Sequence, residues 1–474
     1  MSSHMLQFVR LHAATPEKRP ATERALDFDE IYRRFTPQQA SEQASRCEQC
    51  GIPFCQLHCP LSNNIPDWLM LAAGDRLEEA YRLSSATNSM PEICGRICPQ
   101  DRLCEGSCVL EQSSHEAVTI GAVEKYITDT AWEQGWVKPP KPSVERRQSV
   151  GIIGAGPAGL AAAEKLRATG FQVHVYDRHD RAGGLLIYGI PSFKLEKTVV
   201  ERRTKLLADA GVKFHLNYEI GRDASLDDLR RKHAALLIAT GVYQPRPLAV
   251  PGAALQGVSR ALDYLIASNR AGLGEAVAPE LNAHGKKLVV IGGGDTAMDC
   301  VRTAIRQGAE AVTCLYRRDR ANMPGSQREV RHAEEEGVRF VWQSAPEALT
   351  GEGHVAGVTA VKMHLGVADA SGRQTPTPIE GSHFDLPADM VISALGFEPE
   401  DLPALFATPD LAVTRWGTLK VEPSSLMTSL PGVFAAGDIV RGASLVVWAI
   451  KDGRDAASAI ERYLDAKAPR QAAE

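Results

Sequence analysis

The sequence predicts an α/β protein in which two Rossmann-like dinucleotide-binding units follow a mainly helical, cysteine-rich N-terminal domain. Three observations carry the prediction. After residue 143, apolar β-branched runs alternate with helical patterns, the order that yields parallel sheets covered by helices. The glycine-rich stretch at residues 150–159 returns at 288–297, so one βαβ-based unit is used twice. Eight of the ten cysteines lie between Cys47 and Cys108, which marks the first part of the chain as chemically distinct.

Size and composition agree. At ~100–200 residues per domain, 474 residues make about three domains. Hydrophobic residues at 44% and charged residues at 23% exclude wholesale disorder and a fibrous repeat. The net charge is −5 with no basic block, so no nucleic-acid partner is expected. The longest uncharged stretch, residues 148–163, is broken by Gly and Pro and is too short to span a bilayer. No secretory pattern opens the chain. The expectation is a soluble, cytoplasmic protein with no membrane partner.

The first domain is expected at 1–143, with helix-like stretches at 27–34, 76–84 and 121–134 and a Pro-rich, semi-rigid linker at 137–143. Its cysteines form two groups, Cys47-x2-Cys50-x4-Cys55-x3-Cys59-Pro and Cys94-x3-Cys98-Pro-x4-Cys104-x3-Cys108. Short loops that converge thiolates, with a cysteine before proline, suit cubane iron–sulfur clusters, and eight cysteines suffice for two [4Fe-4S] clusters. Zinc is the alternative, because C-x2-C pairs also build tetrahedral zinc sites. Disulfides are disfavoured in a reducing compartment. In two-cluster ferredoxins the Cys-Pro cysteine ligates the other cluster, so crossed ligation is the first expectation.

The first dinucleotide unit opens with an apolar strand, then Gly154-x-Gly156-Pro157-Ala158-Gly159, then a helical run over 160–166. The first glycine permits the tight turn, the second admits a pyrophosphate, and the third allows helix–strand packing. Phosphate then meets the positive end of the helix. The next strand, 171–176, ends at Asp177, an acid suited to the ribose hydroxyls of FAD or NAD. The second unit reads Gly292-x-Gly294-Asp295-Thr296-Ala297, and its next strand, 312–316, ends in Arg317 and Arg318. Guanidinium groups grip a 2′-phosphate that a carboxylate would repel. This assigns NADPH to the second site and FAD to the first; two solvated arginines beside NADH are the alternative.

Near the C-terminus, residues 432–438 form a short strand ending in Gly437-Asp438, followed by an apolar helical run at 443–450. This resembles the second FAD fingerprint of the two-dinucleotide-domain flavoproteins that include glutathione reductase. The resemblance implies a contact from Asp438 to the flavin's ribityl chain and a helix N-terminus aimed at the isoalloxazine, where it favours negative charge. Gly184, Leu185, Thr240 and Gly241 complete the expected FAD set. With FAD elements on both sides of the second repeat, an inserted NADPH domain is expected: FAD domain at 144–280 and 391–474, NADPH domain at 281–390. Cys300 and Cys314 form no C-x-x-C pair and read as ordinary buried cysteines, so electrons leave the flavin by another route.

At this point a more specific resemblance emerges. Residues 47–60, 91–104, 183–191, 293–299, 316–319 and 323–326, together with the C-terminal fingerprint, are similar to the small (β) subunits of bacterial NADPH-dependent glutamate synthases, close to end to end. The wider family includes the N-terminal part of dihydropyrimidine dehydrogenase and the large subunit of electron-bifurcating ferredoxin:NADP oxidoreductase. The resemblance implies that Cys47, Cys50, Cys55 and Cys108 hold one cluster and that Cys59, Cys98, Cys104 and Glu124 hold the other, with Cys94 nearby. Cys94 as fourth ligand in place of Glu124 stays open. It further implies the order NADPH, FAD, cluster, cluster, because a nicotinamide gives electrons as a pair and clusters take them singly. No catalytic side chain is nominated. A large (α) partner subunit carrying FMN, in a hetero-oligomer, would convert 2-oxoglutarate and L-glutamine into two L-glutamate. Two other readings stand beside this: the same cofactors feeding another acceptor, of the ferredoxin or pyrimidine-reducing type, or a non-catalytic metal scaffold or redox sensor.

Overall fold

Two five-stranded parallel sheets form the body of the computed structural model, which describes residues 5–369 and 374–467. In the first sheet the strands lie in the order Val433–Ala435, Ala235–Ile238, Ser149–Ile153, Gln172–Tyr176, Lys213–His215. In the second the order is Val258–Arg260, Met390–Ser393, Lys287–Ile291, Ala311–Leu315, Arg339–Val341. All ladders in both sheets are parallel. The strands are short apolar runs with buried centres, as sheets covered on both faces require.

The repeat is therefore visible strand by strand, except at one edge. The edge strand of the first sheet comes from after the second unit, so the second unit is an insertion in the first. The edge strand of the second sheet comes from before its glycine turn. The expected division at 280/281 separates Val258–Arg260 and the helix Ala261–Gly272 from the sheet and core they join. The division at 390/391 cuts the strand Met390–Ser393. Hydrogen bonding to strands on either side, which composition does not register, draws the unit's limits. The two crossovers between units run side by side as a small antiparallel ladder, with Phe397 opposite Pro245 and Glu398 opposite Gln244.

One layer was not expected. Ser344–Thr350, Gly357–Ala368 and Gln374–Pro387 build an antiparallel sheet, and Val358, Ala360 and Leu386 pack it against the second parallel sheet.

The N-terminal domain is helical. Leu77–Thr87 and Ile120–Glu133 occupy the ranges expected at 76–84 and 121–134. Residues 27–34 are not a helix: Asp27 bonds the Asp29 amide at 3.0 Å and pairs with Arg19, and Lys18 bridges to Tyr32. An Asp side chain that captures a nearby amide competes with helix formation, and the helix lies earlier, at Ala21–Arg24. Helices Pro91–Ile97 and Ile120–Glu133 touch at Gly95, where a Cβ would stand 2.7 Å from the Lys125 nitrogen. Residues 137–143 carry no regular structure. The domain does not hang on this linker alone, because Met90, Ile93, Cys94 and Cys98 belong to the same apolar core as the first sheet. Beside that core Arg203 donates to both Glu92 oxygens at 2.8 Å, with both side chains buried. Among the described residues no helix is long and apolar enough to cross a membrane.

Candidate functional site

The first glycine turn joins the strand Ser149–Ile153 to the helix Pro157–Ala168. Gly154 has φ +107°, and a Cβ there would stand 2.3 Å from the Ala239 carbonyl oxygen. At Gly159 a Cβ would meet the Gly154 oxygen at 2.0 Å, whereas at Gly156 nothing lies within 4 Å. Tight turn, open cradle and close packing are thus divided among the three glycines, and the open one caps the helix, where amides attract anions. Pro157 and Ala158 start that helix. Gly184 and Gly437 close on the same turn, with their virtual Cβ atoms 2.8 Å from Gly156 Cα and 3.0 Å from Ala158 Cβ. Leu185 begins the short helix that follows Gly184.

Asp177 is buried at the end of its strand, where Oδ2 accepts the Ala155 N–H at 2.7 Å and Oδ1 the His179 N–H at 2.8 Å. It lines a pocket with Gly154, Thr240, Tyr243 and Glu400. Within that groove the Thr240 hydroxyl and the His179 Nε2 are buried without a partner among the described residues, as groups awaiting a polar ligand are. Gly241 follows with φ +74°. Burial pushes the Asp438 carboxyl up to about 7, while the Ser444 backbone pulls it down.

The second turn repeats the first. Gly292 has φ +148° and a Cβ that would meet the Ala394 oxygen at 2.3 Å; Gly294 is open to 4 Å; Ala297 is fully buried. Asp295 and Thr296 lie in the first turn of the helix Asp295–Arg306, and Asp295 Oδ1 accepts the Ser326 N–H at 2.9 Å. Arg317 is exposed and Arg318 half-buried, and neither has an ion-pair partner among the described residues. The Arg318 Nε and the Ser393 hydroxyl at the neighbouring strand end are also unpartnered.

The cysteines ring two separate hollows. Cys47, Cys50, Cys55 and Cys108 line one; Cys59, Cys94, Cys98, Cys104 and Glu124 line the other. Cys59 and Cys108 thus exchange sides, while Cys98, also before a proline, stays with its own motif. All ten cysteines are free thiols. Among the described residues no three His, Cys, Asp or Glu side chains gather closely enough for one shared ion; the thiols are spread over the walls of the hollows instead. Burial raises the Cys47 and Cys59 thiols to about 11 and Cys55 to about 12. Glu124 is buried, its carboxyl pushed up to about 8 by desolvation, and Oε1 accepts from Ser84 Oγ at 3.2 Å. Cys94 Sγ lies 3.8 Å from Asn88 Oδ1.

A cavity of about 250 Å³ sits where the three parts of the chain meet, lined by Cys98, Ile190, Lys194, Asp299, Arg328 and Val446 among others. Cys98 also lines the second cysteine hollow, as does Val447, next to Val446 at the start of the helix Val446–Lys467. Cavity and hollow share Cys98 and Gln100 in their walls. Lys194 and Asp299 pair across the two dinucleotide units at 2.9 Å. Sequence reasoning singled out neither. Asp299 lay in a matched segment, but its partner comes from a loop 105 residues away.

Comparison with known proteins supplies the remaining findings. Residues 24–136 match the family model described as dihydropyrimidine dehydrogenase domain II, 4Fe-4S cluster. Residues 148–453 match the pyridine nucleotide-disulphide oxidoreductase model. The chain is 68% identical over 98% of its length, and 98% of the relative's, to a protein of Azospirillum brasilense named glutamate synthase [NADPH] small chain. It is 47% identical over 98% of its length, and 100% of the relative's, to the Escherichia coli K12 protein of the same name. Among solved structures, FprA of Mycobacterium tuberculosis in complex with NADPH aligns with TM-score 0.58 at 20% identity, covering 68% of this chain and 85% of that one. That likeness is one of fold.

Proposed function

This chain belongs to the glutamate synthase [NADPH] small-chain family, and from that premise we propose that it is the electron-input subunit of a glutamate synthase. It is an NADPH oxidoreductase built from a 4Fe-4S domain and a pyridine-nucleotide oxidoreductase domain. It oxidises NADPH and hands electrons one at a time to a large subunit, which carries FMN and turns 2-oxoglutarate and L-glutamine into two L-glutamate. A dense cysteine cluster that serves as metal ligands suits a reducing, cytoplasmic setting.

The first groove would hold FAD: the Gly156 cradle and helix amides take the pyrophosphate, Asp177 and Thr240 the adenosine side, and Gly437 and Asp438 the ribityl end. At the second turn Gly294 takes the NADPH pyrophosphate and Arg317 and Arg318 its 2′-phosphate. The two hollows would hold two [4Fe-4S] clusters, for which walls of wide-set thiols are better suited than for a single ion. Flavin held in the first groove would supply the conversion between the electron pair of a nicotinamide and the single electrons that clusters in the hollows would accept. The chain's own residues orient and insulate. The start of the helix at Val446 presents its positive end to the central cavity. Ile190, Lys194 and Asp299 line that cavity, and Cys98 lines both it and the hollow. Exposed Ile52, Phe54 and Leu57 surround the loop that bears Cys50 and Cys55, an apolar rim suited to a docked acceptor.

The observation that carries the reading is Cys98, which faces both the dinucleotide cavity and a cysteine hollow. The test is iron, acid-labile sulfide and flavin per chain on anaerobically purified protein, followed by NADPH. The expected result is about eight irons and one flavin per chain, with the flavin band bleaching on NADPH addition. Zinc in place of iron, or a colourless protein, overturns it. The protein that copurifies with the native chain identifies the acceptor.

A further inference from the structure

The loop Met323 to Arg328 lies between the second phosphate turn and the cysteine loop, and the reading above gives it no task. On the nucleotide side, Gly325 N–H donates to the Gly293 oxygen at 3.0 Å and Ser326 N–H to Asp295 Oδ1 at 2.9 Å. On the cysteine side, Ser326 Oγ donates to the Asp101 carboxylate at 3.2 Å, and Arg102 Nη1 donates to the Pro324 oxygen at 2.6 Å. Arg328 then reaches deeper. Its Nη2 donates to the Cys98 carbonyl at 3.3 Å and to Gln100 Oε1, and its Nη1 stands 4.0 Å from Glu105.

Those partners are themselves tied to the hollow. Gln100 Nε2 donates to the carbonyls of Cys94 and Gly95 at 3.1 and 3.3 Å. Glu105, next to Cys104, accepts the Gly121 N–H at 2.9 Å. Hydrogen bonds and one short stretch of chain therefore connect the second turn, at Gly293 and Asp295, to the carbonyls of Cys94 and Cys98, two cysteines lining the second hollow, with the guanidinium 4.0 Å from Glu105 beside Cys104.

We propose that Arg328 is a positioning residue that couples nucleotide occupancy at the Gly292–Ala297 turn to the cysteine loop Cys98–Cys104. The proposal rests on the reading that this turn takes NADPH and that these cysteines hold a cluster. An anion at the turn sits beside the Asp295 carboxylate, and like-charge repulsion changes the position or strength of its bond to Ser326. The loop is held at both ends, so the change reaches Arg328 and the Cys98 peptide. The guanidinium is also a fixed positive charge beside the cluster, and charge and hydrogen bonding near the ligating sulfurs set cluster potentials. Linkage makes the effect reciprocal: if NADP+ shifts the cluster's potential, cluster reduction shifts NADP+ affinity by the same factor.

The test uses the holo chain, prepared anaerobically, with NADP+ as probe. Amide exchange over residues 98–106 is measured with and without NADP+, and each cluster's midpoint potential is followed by its paramagnetic signal. In the wild type NADP+ slows exchange about threefold or more and moves one potential. Arg328→Met abolishes both responses and lowers that potential, while Arg328→Lys restores most of each. A wild-type response in Arg328→Met, or no response in the wild type, overturns the proposal. If Arg328→Met loses flavin or iron, Arg328→Gln, which keeps a donor in reach of the Cys98 carbonyl but removes the charge and the fork to Gln100, is read instead; a weakened response supports the coupling and an unchanged one overturns it. Zinc in the hollows or no NADP+ binding fails the functional reading, whereas iron and NADP+ binding without any exchange response fails the coupling alone.

Discussion

Replacing Arg317 with Asp and Arg318 with Ala separates the two nicotinamide coenzymes. Neither arginine has an ion-pair partner among the described residues, and Arg318 Nε is buried without an acceptor, so both are available to a 2′-phosphate. A charge-assisted hydrogen bond is worth ~1.5–3 kcal/mol where water is excluded. Half-buried Arg318 is assigned ~2 kcal/mol, and exposed Arg317, screened by solvent, ~1 kcal/mol. An aspartate ~4 Å from the phosphate adds ~1 kcal/mol of repulsion in a watery setting. The sum, ~4 kcal/mol, is close to a thousandfold loss in NADPH affinity. NADH has no group at that position and should change by less than about threefold. The assay is flavin reduction by each coenzyme under anaerobic single-turnover conditions, read as a dissociation constant. The wild-type preference should also shrink as salt rises, because the arginine nearer solvent is screened. Equal losses for NADPH and NADH would refute the 2′-phosphate role and leave the pair as solvated surface charge.

Five further outcomes are expected. Glu124→Ala should lower iron or alter one cluster's spectrum while Cys94→Ser does not; unchanged iron and spectra in Glu124→Ala return the ligand role to Cys94. Gly156→Ala, with 4 Å of open space, should fold yet lose flavin. Gly159→Ala, with a Cβ 2.0 Å from a carbonyl oxygen, should lose ~3 kcal/mol or more and yield little soluble protein. Arg203→Met leaves the fully buried Glu92 carboxylate unpaired and should cost ~3–5 kcal/mol in denaturant melts, much of it recovered by adding Glu92→Leu. The raised Asp438 carboxyl means the folded chain holds a proton that the unfolded chain releases near pH 4. Its contribution is present below pH ~4 and lost as pH rises through about 7. Asp438→Asn in the flavin-free protein should therefore gain relative stability over that window, up to ~4 kcal/mol at 1.36 kcal/mol per pH unit, and a pH-independent difference would contradict it.

Much of this was legible in the chain because it is local. Gly154, Gly156 and Gly159 each meet their demand within a turn and a strand of one another, and the repeat at Gly292 meets it again. The membership of Val258–Arg260 in the second sheet was not legible. That strand carries no glycine motif, and its partner Val391 is far along the chain. The antiparallel layer was missed for a related reason: Gly357–Ala368 and Gln374–Pro387 face solvent along much of their length, so they lack the apolar run that announces a parallel strand. Asp27 misled because helical patterning says nothing about a carboxylate that prefers the amide two residues on.

Taken alone, the sequence determined the groups available: two glycine-rich turns, an acid at the end of the strand after one and arginines at the end of the strand after the other, and eight cysteines in two short-spaced groups. Each is a short-range property, fixed by the turn, strand or charge a few neighbouring residues can make. Tertiary structure alone decided how these parts are joined. Spacing leaves Cys59 free to join either group, whereas the folded chain sets it in one hollow with Cys104 and Glu124. Nothing in residues 94–108 announces that Arg328 will rest on the Cys98 carbonyl, or that Cys98 will line a cavity with Lys194 and Asp299. Those contacts link residues more than a hundred positions apart, and only burial of the shared core, which pays the entropy of bringing them together, specifies them.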